Sequence, residues 1–144
     1  MIKPFQHWYC DVCGEIIEDP AKGYVIWKSD GDGRATQFTV IHQKKCDDKT
    51  FHSSAALNDF LGDQGLARLT AFLSYGPIIS DRTEARSKGV ENIDEFIDFF
   101  RRMQIPYYEE ARQKFGEPEV QERLSDYNEI APYFPSTLRE VIEM

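Results

Sequence analysis

The chain has only three cysteines in 144 residues, and this scarcity limits how it can be stabilised. An odd number of thiols cannot all pair within one chain, whereas small secreted domains usually carry a denser and even set. We therefore expect no disulfide scaffold. The cysteine usage favours a reducing compartment, and we expect the protein to be cytoplasmic.

Long apolar runs are also missing. A helix that crosses a bilayer needs about 20 consecutive apolar residues, and no stretch of this sequence approaches that length. The first fifteen residues contain Lys3 but lack the apolar core of a secretory signal. We therefore expect neither a membrane partner nor a secretion signal.

Positive charge is scarce in the second part of the chain, and the formal net charge of the whole is −8. Residues 1–50 carry 7 Lys or Arg against 8 Asp or Glu, whereas residues 51–144 carry 10 against 17. Non-specific binding of nucleic acid depends on Lys and Arg that neutralise phosphates. The acidic second part is therefore a poor surface for nucleic acid, and only the first part remains open to that function.

What the sequence does have is a Cys-x-x-Cys-Gly motif near its start. Cys10 and Cys13 are three residues apart, and Gly14 lets the loop turn so that backbone amides can point at the sulfurs. Cys46 follows His42 by four residues, within the spacing of second ligand pairs. The sequence therefore predicts one metal site that uses every cysteine and one histidine.

The ion that this donor set favours is zinc. Structural zinc takes four ligands in a tetrahedron, and thiolates with imidazole select zinc over calcium or magnesium. Such a site contributes about 10–16 kcal/mol of apparent binding free energy, so its loss should disorder the first part of the chain. His7 or His52 could replace His42 as the fourth ligand. The other possibilities are a redox-active cysteine pair and three unconnected buried cysteines.

Turn-forming residues separate two segments with strand character. Residues 24–28 and 36–41 are rich in β-branched and aromatic side chains, and residues 29–33 contain alternating Asp and Gly. This pattern predicts a β-hairpin between the two pairs of metal ligands. The hairpin would fold back and bring position 42 near position 10.

Apolar residues at helical spacing dominate the rest of the sequence. We predict a first helix that starts at Ser53 or Ser54 and stops before Gly76 and Pro77. Residues 80–91 are almost wholly polar, which predicts an exposed connector and a boundary near residue 77. The later helices are predicted at 93–103 with Asn92 as the cap, between Pro106 and Gly116, at about 118–127, and at about 137–143.

The loop that carries Cys10, Cys13 and Gly14, the hairpin that follows it and the second ligand pair together resemble the treble-clef and zinc-ribbon group of zinc modules. The first of these elements is called a zinc knuckle. The resemblance covers residues 7 to 62, and it implies a zinc site whose second pair leads into a helix. The chain departs from the common pattern because its second pair is His-x3-Cys and not Cys-x2-Cys. We predict an α+β protein, with a zinc-binding module at 1–76 and a mostly helical part at 77–144 packed on it.

No phosphate-binding glycine loop, nucleophile elbow or His-Glu-x-x-His sequence is present. We therefore expect a non-enzymatic protein whose structural zinc supports an adaptor surface for another protein. Aromatic residues that could mark such a surface occur at 107–108 and 133–134. Glu109 and Glu110 are expected on a solvated helix face, not as an acid–base pair.

Two alternative functions remain open. Lys44, Lys45 and Lys49 form a small basic cluster beside the predicted site, which could bind nucleic acid in a transcription regulator. Asp47 and Asp48 interrupt that cluster. The other alternative is an enzyme with an unrecognised site in the cleft between the two parts, although the sequence identifies no small-molecule substrate.

Overall fold

The computed structural model describes residues 2–77 and 88–144, and within these ranges strands precede helices. The predicted α+β class is confirmed. The strands are β1 (Trp8–Tyr9), β2 (Ile16–Ile17), β3 (Gly23–Ser29), β4 (Ala35–His42) and β5 (Ser53–Ala56). The helices are α1 (Gly62–Leu73), α2 (Ile93–Gln104), α3 (Tyr108–Arg112), α4 (Pro118–Ser125) and α5 (Pro135–Ile142), with 3₁₀ turns at Pro20–Lys22, Leu57–Phe60 and Ala131–Tyr133.

The strands form two antiparallel sheets. β1 and β2 make a short hairpin in which fully buried Trp8 lies opposite fully buried Ile17. The second sheet has the order β4-β3-β5, and Gly23 of β3 lies opposite His42 of β4. The predicted hairpin is confirmed, and it places position 42 at the end of a strand.

The predicted helix start at Ser53 is wrong. Ser53–Ala56 pairs with β3 as the third strand of the sheet, and α1 begins only at Gly62. The apolar spacing that suggested a helix belongs to the 3₁₀ turn Leu57–Phe60, where both end residues are fully buried. A 3₁₀ helix brings residues i and i+3 to the same side, so this short pattern does not distinguish it from an α-helix.

A glycine allows α1 to pack against that 3₁₀ turn. Gly65 lies in the first turn of α1, and a Cβ added there would collide with the backbone of Phe60. The amide of Gly65 donates to the carbonyl of Leu61 at 3.1 Å. The start of α1 therefore depends on the absence of a side chain at position 65.

Helix α2 begins as the sequence predicts. The side chain of Asn92 accepts a hydrogen bond from the amide of Glu95 at 3.1 Å, which is the expected cap. The carboxylate of Glu95 accepts from the amide of Phe38 at 3.1 Å. This second bond ties the start of α2 directly to β4.

The helix predicted after Pro106 differs from the observed one. Tyr107 adopts a left-handed conformation with a φ of 70°, so α3 starts only at Tyr108 and ends at Arg112. A residue with positive φ cannot continue a right-handed helix. Pro118 occupies the first turn of α4, where its missing amide hydrogen costs no helical bond.

Two apolar cores hold these elements together. The first joins the sheet to α1 and α2, and its centre is a group of packed rings in which Phe38 stacks on Phe99 with 4.9 Å between ring centroids. The other rings of this group are Trp27, Phe60, Phe72, Phe96 and Phe100. The second core joins α3, α4 and α5, and it consists of Tyr108, Ala111, Val120, Leu138 and Val141.

The boundary near residue 77 stays a prediction, and the first core includes side chains from both sides of it. Most of the predicted connector, residues 80–87, lies outside the described residues. In the described end of that connector, Val90 forms a parallel bridge with Ala35. Among the helices in the described ranges, none combines the length and the apolar character that crossing a membrane requires.

Candidate metal centre

The loop between β1 and β2 forms a compact knuckle. The amide of Cys10 donates to the carbonyl of Glu15 at 2.9 Å, and the amide of Gly14 donates to the carbonyl of Cys10 at 2.9 Å. Gly14 has a φ of +76°, a backbone conformation that is energetically unfavourable for any residue with a side chain. The glycine of the motif therefore closes the loop that carries Cys10 and Cys13.

Backbone amides surround the sulfur of Cys10. The amides of Val12 and Cys13 lie 3.4 and 3.5 Å from its Sγ. Burial by itself raises the pKa of the Cys10 thiol, but hydrogen bonds from the amides of Cys13, His42 and Val12 outweigh burial and lower the pKa to about 6. The knuckle therefore favours a thiolate at this position.

The knuckle is also fixed against the strand that ends in His42. The amide of Asp11 donates to the carbonyl of Val40 at 2.8 Å. In return, the amide of Val40 donates to Oδ2 of Asp11 at 2.8 Å. This reciprocal pair sets the distance between the Cys-x-x-Cys loop and the end of β4.

His42 presents one ring nitrogen to the sulfurs. Its Nδ1 lies 3.4 Å from Sγ of Cys13 and 3.8 Å from Sγ of Cys46, whereas its Nε2 lies 3.0 Å from the carbonyl oxygen of Ile16. A carbonyl oxygen can only accept, so this bond assigns the ring proton to Nε2. Nδ1 then has a lone pair directed toward the thiols.

Cys46 enters the site from the turn that follows β4. Its amide donates to the carbonyl of His42 at 3.3 Å, and its side chain is buried. Burial raises the pKa of Cys46, and the neighbouring thiols of Cys10 and Cys13 raise it further, to about 11. Three sulfurs this close repel one another as thiolates, and a cation between them would remove that repulsion.

Taken together, the four side chains could hold one metal ion. Their ligand atoms all lie within 4.8 Å of one another, and the set is Cys10, Cys13, His42 and Cys46. A tetrahedron with metal–sulfur bonds of about 2.3 Å and a metal–nitrogen bond of about 2.0 Å has ligand–ligand edges of about 3.5–3.8 Å. The sulfur–nitrogen distances of 3.4 and 3.8 Å are close to the sulfur–nitrogen edge of about 3.5 Å. The 4.8 Å limit that contains all four ligand atoms is wider than these edges, so the side chains would draw closer together around an ion.

The alternative histidines are not part of this group. His7 and His52 are exposed, and the four clustered ligand atoms include neither of them. His52 lies just before β5, whereas His42 ends the strand to which the knuckle is bonded. The backbone connections of the knuckle therefore select His42.

A buried charge network lies beside the knuckle, and sequence reasoning missed it. Nη1 of Arg102, on α2, donates to Oδ2 of Asp11 at 2.8 Å. The same guanidinium contacts both carboxylate oxygens of Glu109, with Nε to Oε1 at 2.7 Å and Nη2 to Oε2 at 2.9 Å. Nη2 also donates to the carbonyl of Tyr9 at 3.0 Å, so the guanidinium joins β1, the knuckle and α3.

The expectation that Glu109 lies on a solvated face is wrong. The side chains of Glu109 and Arg102 are each only 3% exposed. A buried carboxylate is tolerated when it is paired and hydrogen-bonded, and Glu109 also accepts from the amide of Tyr9 at 2.9 Å. Burial disfavours the charged guanidinium of Arg102, but Glu109 and Asp11 hold its pKa above its ordinary value.

The only local signal for this network is an aspartate between the two cysteines of the motif. Arg102 follows Asp11 by 91 positions, and no periodicity or spacing connects residues so far apart. Glu109 stands next to Glu110 in a polar stretch that resembles an ordinary exposed helix face. The network could therefore be found only from the tertiary structure.

The basic cluster remains at the surface. Lys44, Lys45 and Lys49 are exposed, and Nζ of Lys45 lies 3.4 Å from Oε2 of Glu15. The hydrogen bond and the charge of Glu15 raise the pKa of Lys45. Part of the positive charge of this cluster is therefore matched by a knuckle residue.

The site thus combines a rigid knuckle, a strand end and a turn, with four donors that can share one ion. Its ligands come from three chain segments, and the backbone of each segment is hydrogen-bonded to another part of the first half of the chain. Comparisons of the chain with protein families, with curated proteins and with solved structures found no match.

Proposed function

We propose that this chain is a small, non-enzymatic zinc-binding protein of the cytoplasm, whose structural zinc supports a surface that binds another protein. The observation that carries the proposal is the convergence of four donor atoms within 4.8 Å of one another. The module would be of the zinc-ribbon or treble-clef kind. A strand, and not a helix, follows the second ligand pair, which is a departure from the resemblance.

Zinc is the ion that the donor chemistry favours. Three soft sulfurs and one imidazole nitrogen suit Zn²⁺, whereas Ca²⁺ and Mg²⁺ require oxygen ligands. The hydrogen bond from Nε2 of His42 to Ile16 orients the ring for coordination through Nδ1. A zinc site that uses all three cysteines leaves no thiol for a disulfide, which suits a reducing compartment.

A structural role is favoured over a catalytic one because the protein supplies four ligands. A catalytic zinc usually keeps one position open for water or substrate. Here Cys10 and Cys46 are buried and His42 is half-buried, whereas Cys13 is exposed. The knuckle and the hairpin are both fixed by their backbone bonds. The ion would clamp the first part of the chain.

The protein-binding surface is proposed on the helical half. Ile130 and Phe134 are 63% and 48% exposed, and they flank the 3₁₀ turn that contains Tyr133. Next to Tyr133, a cleft of about 410 Å³ is lined by residues that include Asp94 and Arg101. Exposed aromatic and aliphatic side chains beside a polar cleft are the composition of many protein interfaces.

The two alternatives have less support. In the basic cluster, Lys45 is paired with Glu15, which lowers the charge available for phosphates. For an enzyme, the cleft beside Tyr133 offers the carboxylate of Asp98, but that group already accepts from the hydroxyl of Tyr108 at 2.6 Å and pairs with Arg112 at 2.9 Å. A carboxylate held in this way is poorly placed to exchange protons with a substrate.

Elemental analysis of the purified protein tests the metal. We expect one zinc per chain in the wild type and well under one in Cys10→Ser and Cys46→Ser. His52→Ala is the matched control, and it should retain full zinc. Full zinc in either serine variant would remove that cysteine from the ligand set, and a metal-free wild type would overturn the proposal.

Affinity capture tests the proposed surface. A partner that binds wild type should be lost with Ile130→Asp or Phe134→Asp but retained with Lys44→Glu/Lys45→Glu. The captured material could instead contain nucleic acid. The alternative function would be supported if the affinity for that nucleic acid fell steeply with salt and if binding were lost in the lysine variant.

A further inference from the structure

We propose that Asp11, Arg102 and Glu109 act as positioning residues for the metal ligands, so that the zinc affinity of the first half of the chain depends on helix α2. This inference rests on the proposed zinc site and adds to it three residues that do not touch the ion. Their role follows from the contacts that they make on both sides of the Cys-x-x-Cys loop.

Asp11 is the link between the loop and the network. It stands between two ligands of the loop, and one oxygen atom, Oδ2, accepts both from the amide of Val40 and from Nη1 of Arg102, each at 2.8 Å. Two donors on one oxygen fix the rotamer of this side chain. The loop is therefore fixed on one side by β4 and on the other by α2.

Arg102 is itself held in a single orientation. Its paired bonds to Glu109 are short, and both side chains are excluded from water. An arginine that meets a carboxylate through two parallel bonds gains geometric precision as well as energy. The guanidinium therefore provides a fixed donor at Asp11.

The same helices also hold the residues just before Cys10. The indole Nε1 of Trp8 donates to the carbonyl of Arg102 at 3.1 Å, and the amide of Tyr9 donates to Oε2 of Glu109 at 2.9 Å. With the bond to Asp11, these contacts involve positions 8, 9 and 11, which enclose the first ligand. The geometry of the first ligand pair is thus set by residues from α2 and α3.

Loss of this support should weaken metal binding without removing a ligand. When a loop is already ordered, metal binding carries no further entropy cost for ordering it. Preorganised ligands therefore bind the ion more tightly. Removal of groups that orient metal ligands typically lowers affinity about 10–100-fold. We expect a reduction in that range when the guanidinium of Arg102 is absent.

The test is competition for Zn²⁺ between the full-length protein and a chromophoric chelator. Arg102→Met should bind Zn²⁺ about 10–100-fold more weakly than wild type. The matched control is Arg112→Met, which removes a different arginine–carboxylate pair, with Asp98, on the same pair of helices. The control should bind Zn²⁺ within about twofold of wild type.

A second variant separates positioning from stability. Arg102→Met leaves the carboxylate of Glu109 buried without its partner, which can prevent folding. Arg102→Met/Glu109→Leu replaces the buried pair with apolar groups of similar volume, an exchange that other proteins often tolerate. This double variant should bind Zn²⁺ as weakly as the single variant. In excess Zn²⁺ its free energy of unfolding should fall only by the lost binding free energy, which is about 1.4 kcal/mol for each tenfold loss of affinity.

The outcomes distinguish this inference from the proposal on which it rests. Wild-type Zn²⁺ affinity in the folded double variant would overturn the positioning role and leave the zinc site intact. The visible spectrum of the Co²⁺-loaded variants should match that of wild type, because the four ligands are unchanged. A different Co²⁺ spectrum would mean a change of ligand and would also overturn the positioning role, whereas a wild type that binds no Zn²⁺ would overturn both proposals.

Discussion

The Nε2 atom of His42 lies 3.0 Å from the carbonyl oxygen of Ile16, on the strand that closes the knuckle. This one hydrogen bond sets the tautomer of the imidazole and the direction of its free nitrogen. It also joins the end of the long hairpin to the short one. His42 therefore connects the two sheets of the first half as well as contributing a donor.

Replacement of His42 should separate its two roles. In His42→Ala both the donor and the bond to Ile16 are lost, and we expect the zinc content to fall well below one per chain. In His42→Cys the fourth donor returns as a sulfur, so the zinc content should be restored although the bond to Ile16 is not. Elemental analysis of the purified variants measures both.

His7→Ala and His52→Ala are the controls for this series, because both histidines are exposed and outside the clustered ligand atoms. Each should retain the zinc content of wild type. If zinc disappeared in one of these controls and persisted in His42→Ala, the assignment of the fourth ligand would be wrong.

Glu110 should make stability depend on pH. Its Oε2 is buried and accepts no hydrogen bond within the described part of the chain, and burial raises the pKa of Glu110 from 4.5 to about 7. Between these two values the folded state holds a proton that the unfolded state releases. The free energy of unfolding should therefore fall as the pH rises through this window.

Glu110→Gln should remove this dependence, because an amide of the same size does not ionise. The advantage of the variant over wild type should be small near pH 5 and larger by about 1 kcal/mol near pH 8, an amount reduced for partial exposure of the group. Urea unfolding at both values measures the difference. The control is Glu119→Gln at an exposed position, which should show no such trend. The prediction would be contradicted if the difference in free energy of unfolding between Glu110→Gln and wild type were the same at both pH values.

Gly65→Ala should destabilise the protein. The added Cβ would meet the backbone of Phe60, which cannot move without disturbing the 3₁₀ turn and the start of α1. Overpacking of this kind costs about 1–3 kcal/mol. Chemical denaturation monitored by far-ultraviolet circular dichroism measures the loss.

Gly116→Ala is the matched control, because a Cβ at that position meets no heavy atom within 4 Å. Its free energy of unfolding should stay within about 0.5 kcal/mol of wild type, as for most surface substitutions. Equal stability of the two alanine variants would show that the close approach at Gly65 does not constrain α1.

The clustering of the four candidate ligands could be predicted from the sequence because they lie in two short motifs joined by a recognisable hairpin. The spacing of Cys10 and Cys13 is local, and the turn at 29–33 is enough to return the chain to the first pair. The strand β5 was missed because its small residues carry no strong propensity, and they become a strand only through the free edge of β3. The burial of Glu109 was missed because its partners lie on another helix and on β1.

The wide sequence separation between Asp11 and Arg102 has a consequence for synthesis. A ribosome makes all four ligands within the first 46 residues, whereas Arg102 is added several dozen residues later. At about 5–20 residues per second this delay lasts several seconds. On the two proposals above, a nascent chain carries all four candidate zinc donors before it contains Arg102, so the donors could capture the ion before α2 docks against the loop.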